Sequence, residues 1–176
     1  MTEDRDSGRG PGSLKSAEAV RAYQREWFAE NRERVKQGEP FAICNGDDFE
    51  EAFNIMDIPV MCINYWHALV SQKQMGRYFD DVLAKHGYPV AGFARAMASI
   101  IDNNPETSPW GGYPRPTIIV GGTKNDLEMK VLEYWARESN CAFYPLDWCL
   151  DPVPEWAHPP PDRWWERMRD HWDEMI

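Results

Sequence analysis

Four cysteines, four histidines and one acidic pair are the residues through which this 176-residue chain could ligate a metal, attack a substrate or move a proton. Cys44 closes a short apolar run, where a thiol is a candidate metal ligand and equally an ordinary small core residue. Cys62 lies inside a second apolar run, and core packing is its plainer role. Cys141 and Cys149 have seven residues between them and, with His158, lack the short Cys-x-x-Cys spacing of a structural zinc site. His67 stands near a helix start, where an imidazole could polarise a carbonyl or protonate a substrate, or simply bond backbone or water. Asp47 and Asp48 could form a proton-handling dyad, but capping and the helix dipole already account for acids at a helix start. Gly121-Gly-Thr-Lys124 has a glycine pair and a lysine at the wrong spacing for a phosphate-wrapping loop, so no nucleotide site of this chain's own is expected.

These residues need elements to hold them. Residues 16–37 read as an amphipathic helix with Val20, Tyr23 and Trp27 on one face, ended by Gly38 and Pro40. Residues 41–44 form an apolar strand that stops at a tight Asn45-Gly46 turn, and Phe49, Ala52, Phe53 and Met56 follow at helical spacing. A second strand over 58–63 leads into one long helix over 66–86, carrying Leu69, Val70, Tyr78, Phe79, Val82 and Leu83 inward. A further helix precedes the loop 103–116, which Pro and Gly break too often for either periodic element. A β-branched run at 117–120, a helix at 126–138 and a strand at 141–144 complete the alternation. Strands alternating with helices predict an α/β fold, a Rossmann-like parallel sheet flanked by helices, with ligands at the carboxyl ends of the strands. By this pattern residues 1–15 are a disordered tail, 16–150 the α/β domain, and 151–176 a Pro-rich linker and an amphipathic docking helix.

The charge balance narrows the partners. Nineteen Lys and Arg against 29 Asp and Glu give a net charge of −10, which disfavours unaided binding to nucleic acid or to an anionic membrane. No apolar run opens the chain, so a cytoplasmic protein is expected, its cysteines free thiols or metal ligands rather than a disulfide framework. Of the nine Trp, Trp156, Trp164, Trp165 and Trp172 fall in the last stretch, which predicts that this stretch docks on an apolar surface.

Several stretches carry a resemblance. Phe41-Ala-Ile-Cys44 with its acidic turn, Asn54-Ile-Met-Asp-Ile-Pro-Val60, Asn64-Tyr-Trp-His-Ala-Leu-Val-Ser-Gln-Lys-Gln74, Pro109-Trp-Gly-Gly-Tyr-Pro-Arg-Pro-Thr117 and Asp162-Arg-Trp-Trp-Glu166 occur in an order that resembles the 2-hydroxyacyl-CoA dehydratase and benzoyl-CoA reductase family, and within it the B-type reductase subunits. The resemblance implies ATP-driven injection of a low-potential electron through a [4Fe–4S] cluster into an aromatic acyl-CoA thioester, with ATP hydrolysed by a separate activator and a sister subunit completing the enzyme. It implies Cys44 as a cluster ligand, Asn64 and Trp66 as substrate-binding residues and His67 as a catalytic group at the sheet's carboxyl edge. Gly92 stands where the family's second cysteine falls, and the third would lie beyond Ile176 in a subunit about twice this long. The chain is therefore expected to be the first half of such a subunit, its cluster completed by a partner or by further residues. A 2-hydroxyacyl-CoA dehydratase subunit and a non-catalytic α/β interaction module that has lost the cluster are the alternatives.

Overall fold

Short apolar runs can satisfy their backbone only by pairing with one another. In the computed structural model, which describes residues 14–46, 49–87, 94–122 and 126–146 together with 166, 169, 170, 173 and 174, four such runs do so. Strands β1 (Ala42–Cys44), β2 (Val60–Cys62), β3 (Ile118–Gly122) and β4 (Ala142–Leu146) form one sheet in the order β2-β1-β3-β4, every pair parallel. Parallel neighbours require crossovers, and helices supply them. Helix α2 (Glu50–Ile55) joins β1 to β2, helices α3 (Ile63–Gln72), α4 (Gly76–Lys85) and α5 (Ala94–Ile101) lie between β2 and β3, and α6 (Asp126–Ser139) joins β3 to β4. Helix α1 (Lys15–Lys36) precedes the sheet. The α/β, Rossmann-like expectation is met, and the strand order reverses between β1 and β3, the position at which such sheets open a crevice.

The two-residue period of the strands sorts their side chains onto two faces. Ile43, Met61 and Ile119 face one way and pack with Phe28 of α1, Trp66 of α3, Phe79 and Leu83 of α4, and Leu132 and Trp135 of α6. Ala42, Cys44, Cys62, Val120 and Leu146 face the other way, with Phe49 and Phe53 from the α2 side. Gly121 lies so close beneath α6 that a Cβ there would collide with Leu132 Cδ1, which is why β3 continues through a glycine pair instead of ending before it.

Two helix expectations change. The helix expected over 66–86 is two helices: α3 begins at Ile63, directly after β2, and the chain breaks at Lys73–Met75 with Gln74 at φ 56°. Both halves bury apolar residues toward the same core, Leu69 and Val70 before the break and Phe79 and Leu83 after it, so the periodicity passes over the interruption, while Tyr78, expected inward, is exposed. On α1 the packed side is carried by Phe28 and Asn31 with half-buried Trp27, while Val20 and Tyr23 stand 53% and 65% exposed. The apolar face of α1 therefore extends further along the helix than the core beneath it.

The loop after α5 is a packed part of the core. Asn103 brackets it, its Nδ2 donating to the Tyr113 carbonyl at 3.0 Å while its Oδ1 accepts from the Tyr113 N–H at 3.1 Å. Arg32 of α1 donates through Nη1 to the carbonyls of Trp110 at 3.0 Å and Gly112 at 2.7 Å. Tyr113 then stands edge-on between Trp66 and Trp135, with ring centroids 5.4 and 5.1 Å away, and its hydroxyl accepts from Trp135 Nε1 at 2.9 Å. Among the described residues no helix is long and apolar enough to cross a membrane.

Candidate functional site

At the carboxyl edge β1 runs out first, and side chains take over from its main chain. Asn45 reaches across to β3, where its Oδ1 accepts from the Gly122 N–H at 3.2 Å and its Nδ2 meets the Gly122 carbonyl at 3.4 Å. The Asn45 carbonyl in turn accepts from Asn64 Nδ2, at the start of α3, at 3.1 Å. Two amides thus tie together the ends of β1, β2 and β3. An amide suits this task because it offers a donor and an acceptor side by side, as a strand's main chain does.

Just behind that seam, Cys44 and Cys62 are direct neighbours in the β1–β2 register and point to the same face of the sheet. Glu50, in the first turn of α2, lies over them, and the two sulfurs and a Glu50 carboxylate oxygen are all within 4.8 Å of one another. Cys44 is fully buried and Cys62 only 4% exposed. The Cys44 thiol donates to the Gly46 carbonyl at 3.1 Å. Its hydrogen bond with Cys62, then burial, then the charges of Cys62 and Glu50 hold it far above the usual thiol range, so without a cation it is a neutral thiol.

Two sulfurs and a carboxylate oxygen bound to one tetrahedral ion at ~2.0–2.3 Å stand about 3.3–3.8 Å apart, a contraction of at most about 1–1.5 Å from the separations here, which are within 4.8 Å. The requirements of a four-iron cluster differ: it takes about four ligands, one on each iron, arranged around its outside. Cys44 and Cys62 project side by side from adjacent strands and converge under α2. As packed, these residues fit one small ion and do not fit a cubane.

A cavity of about 530 Å³ opens beside this group. One wall is apolar, made by Tyr23, Trp27 and Phe28 of α1 with Val60 and Met61 of β2; the polar part comes from Gln24, Glu50, Asn64 and Tyr65, and Cys62 also lines it. The Tyr65 ring stacks against Phe28 with centroids 6.4 Å apart, and its hydroxyl is buried without a hydrogen-bond partner. Burial pushes that phenol up to about 12, so near neutral pH it is a donor in search of an acceptor. In comparisons with protein-family models and with curated proteins, no match to this chain was found.

The residues singled out from the sequence separate here. Asn64 lines the cavity. Trp66 does not: it is fully buried in the core, its Nε1 donating to Ser99 Oγ at 2.8 Å, because α3 starts early enough to turn that position inward. His67, on the same helix, is half-buried and is not among the residues that line the cavity. Cys44 is at the carboxyl edge, joined by two residues that the sequence pattern passed over, Cys62 and Glu50. The signal for Cys62 was partial: Cys44 ends its apolar run, whereas the run around Cys62 continues to Ile63, and only the structure, in which β2 stops at Cys62, puts both at the shared edge of the parallel strands. Tyr65 carried no signal, since only packing makes its hydroxyl solitary. Asp47, Asp48, Gly92, Cys149, His158 and the Trp residues of the last stretch lie outside the described residues.

Proposed function

We propose that this chain is the Rossmann-like half of a subunit that binds an aromatic acyl-CoA thioester, in an oxidoreductase resembling the benzoyl-CoA reductases. The observation that carries this reading is the cavity, with an apolar, partly aromatic wall and one buried hydroxyl that has no acceptor. Tyr23 and Trp27 offer surface to an aromatic ring, with Phe28 packed edge-on against Trp27, and Tyr65, which also lines the cavity, carries a phenol proton of the kind that a thioester carbonyl oxygen accepts. The cavity's size matches the acyl end of such a molecule, within the usual range of ligand sites. In this reading the chain's own residues bind and orient the acyl group, a sister subunit completes the enzyme, and a separate activator supplies ATP-driven electrons. The residues around Cys44 do not fit the four-iron cluster that the resemblance implies.

The test is anaerobic purification of the chain with its sister subunit, followed by titration with benzoyl-CoA, a 2-hydroxyacyl-CoA and free CoA, read by tryptophan fluorescence. Benzoyl-CoA should bind more tightly than CoA, and Tyr65→Phe should weaken it by about three- to tenfold, the worth of one hydrogen bond. Equal affinity for benzoyl-CoA and CoA, or none for either, overturns the reading. Preference for the 2-hydroxyacyl-CoA assigns the chain to dehydration instead. A non-catalytic docking module is the second reading, favoured by exposed Val20 and Tyr23 on α1; it predicts partner binding with no acyl-CoA affinity at all.

A further inference from the structure

We infer that Cys44, Cys62 and Glu50 form a site for a single divalent cation of the zinc or ferrous class, with its fourth position open to the neighbouring cavity. The inference goes beyond the acyl-CoA reading and does not depend on it. Three elements built independently converge on the site: β1 ends at Cys44, β2 ends at Cys62 in direct register with it, and the first turn of α2 sets Glu50 above the pair. The donor atoms lie within 4.8 Å of one another, so side-chain shifts of at most about 1–1.5 Å bring them to the edges of a tetrahedron around one ion.

The donor set selects the metal. Two sulfurs disfavour calcium and magnesium, which take oxygen ligands, and suit zinc, cobalt or ferrous iron. Three protein ligands leave one tetrahedral position, the pattern of an ion that meets a small molecule rather than one that only braces a fold. Cys62 and Glu50 both line the 530 Å³ cavity, so that position has somewhere to open. Binding replaces the two thiol protons, which leave to solvent, by one dication; the resulting two thiolates and one carboxylate leave a single net negative charge over the ion.

The experiment uses the full 176-residue chain, stripped of metal and kept under a non-chelating reductant, and titrated with Co²⁺. The expected result is one Co²⁺ per chain, with thiolate-to-cobalt charge transfer in the near ultraviolet, the intense visible bands of tetrahedral cobalt, and displacement by one equivalent of Zn²⁺. Cys62→Ser should lower the affinity by at least about 100-fold, since loss of a ligand exceeds the 10–100-fold effect of losing an outer-shell partner. Glu50→Gln, an isosteric change on a half-buried helical turn, should lower the affinity by at least about tenfold and keep the charge-transfer band, with an unchanged urea-unfolding midpoint of the metal-free chain verifying the fold. Cys141→Ser should change nothing. Absence of binding, the weak spectrum of octahedral cobalt, or a site indifferent to both Cys62→Ser and Glu50→Gln overturns the inference. So does reconstitution with iron and sulfide to four irons per chain that survives Cys62→Ser. None of these outcomes alters the benzoyl-CoA titration, so the two proposals fail separately.

Discussion

Replacing Asn45 by Ala removes the side chain that, among the described residues, joins the carboxyl ends of β1 and β3. Its Oδ1 accepts from the Gly122 N–H at 3.2 Å, and Gly122 is buried, so the variant leaves a main-chain donor without a partner at a cost of about 1–3 kcal/mol. The contact from Asn45 Nδ2 to the Gly122 carbonyl is longer, 3.4 Å, and adds less than ~1 kcal/mol. The hydrogen bond from Asn64 is made to the Asn45 main chain and survives. The expected loss is about 2–3 kcal/mol, a large share of the ~5–15 kcal/mol that stabilises a domain, and it lowers the melting temperature by roughly 4–12 °C. Urea unfolding with an unchanged slope measures it. Asn64→Ala, at an exposed side chain, should cost no more than about 1 kcal/mol. A loss below ~0.5 kcal/mol for Asn45→Ala, or one matched by Asn64→Ala, would refute the account of how this edge is held.

Gly121→Ala drives a Cβ into Leu132 and should destabilise by about 1–3 kcal/mol; combined with Leu132→Ala the loss should be less than the sum, as a double-mutant cycle reads. Tyr65→Phe should leave stability unchanged or raise it by up to ~1 kcal/mol, because the hydroxyl it removes is buried without a partner; a clear loss on urea unfolding contradicts that assignment. Cys141 is half-buried, and burial, opposed by Arg115, pushes its thiol up to about 11. The neutral thiol is thus the dominant form through neutral and mildly alkaline pH, and alkylation mapped to Cys141 should keep accelerating about tenfold per pH unit beyond 9, levelling only near 11. A plateau near 9 would mean that the sulfur is solvated.

Cys44 and Cys62 mark the line between what the chain spells out and what folding decides. Cys44 ends an apolar run and was legible as a residue at a strand end, whereas Cys62 read as the interior of the run 58–63, and alternation with helices placed the strand ends on one edge. The expected strands at 41–44, 58–63, 117–120 and 141–144 all contain or overlap strands of the sheet, because a run of apolar residues between turn signals has little else to do. The sequence could not say that the two cysteines would be in register, nor that both would face α2. A shift of one residue in register would have sent one thiol into the opposite core.

Helix expectations failed in the same way. Spacing located the apolar side of α1 but not how far the core would reach along it, so Val20 and Tyr23 lie beyond the packed stretch. Spacing found the inward residues of α3 and α4 but not the turn at Gln74 between them, and it could not tell that Trp66 would be inside and Tyr65 at the cavity. By itself the sequence determined the element types and the edge at which chemistry would gather, since both follow from local periodicity. Only the tertiary structure decided which side chains meet there, Cys62 and Glu50 around Cys44 and Tyr65 beside Asn64, because register, helix rotation and the close approach of β3 to α6 are set by packing between segments far apart in the chain.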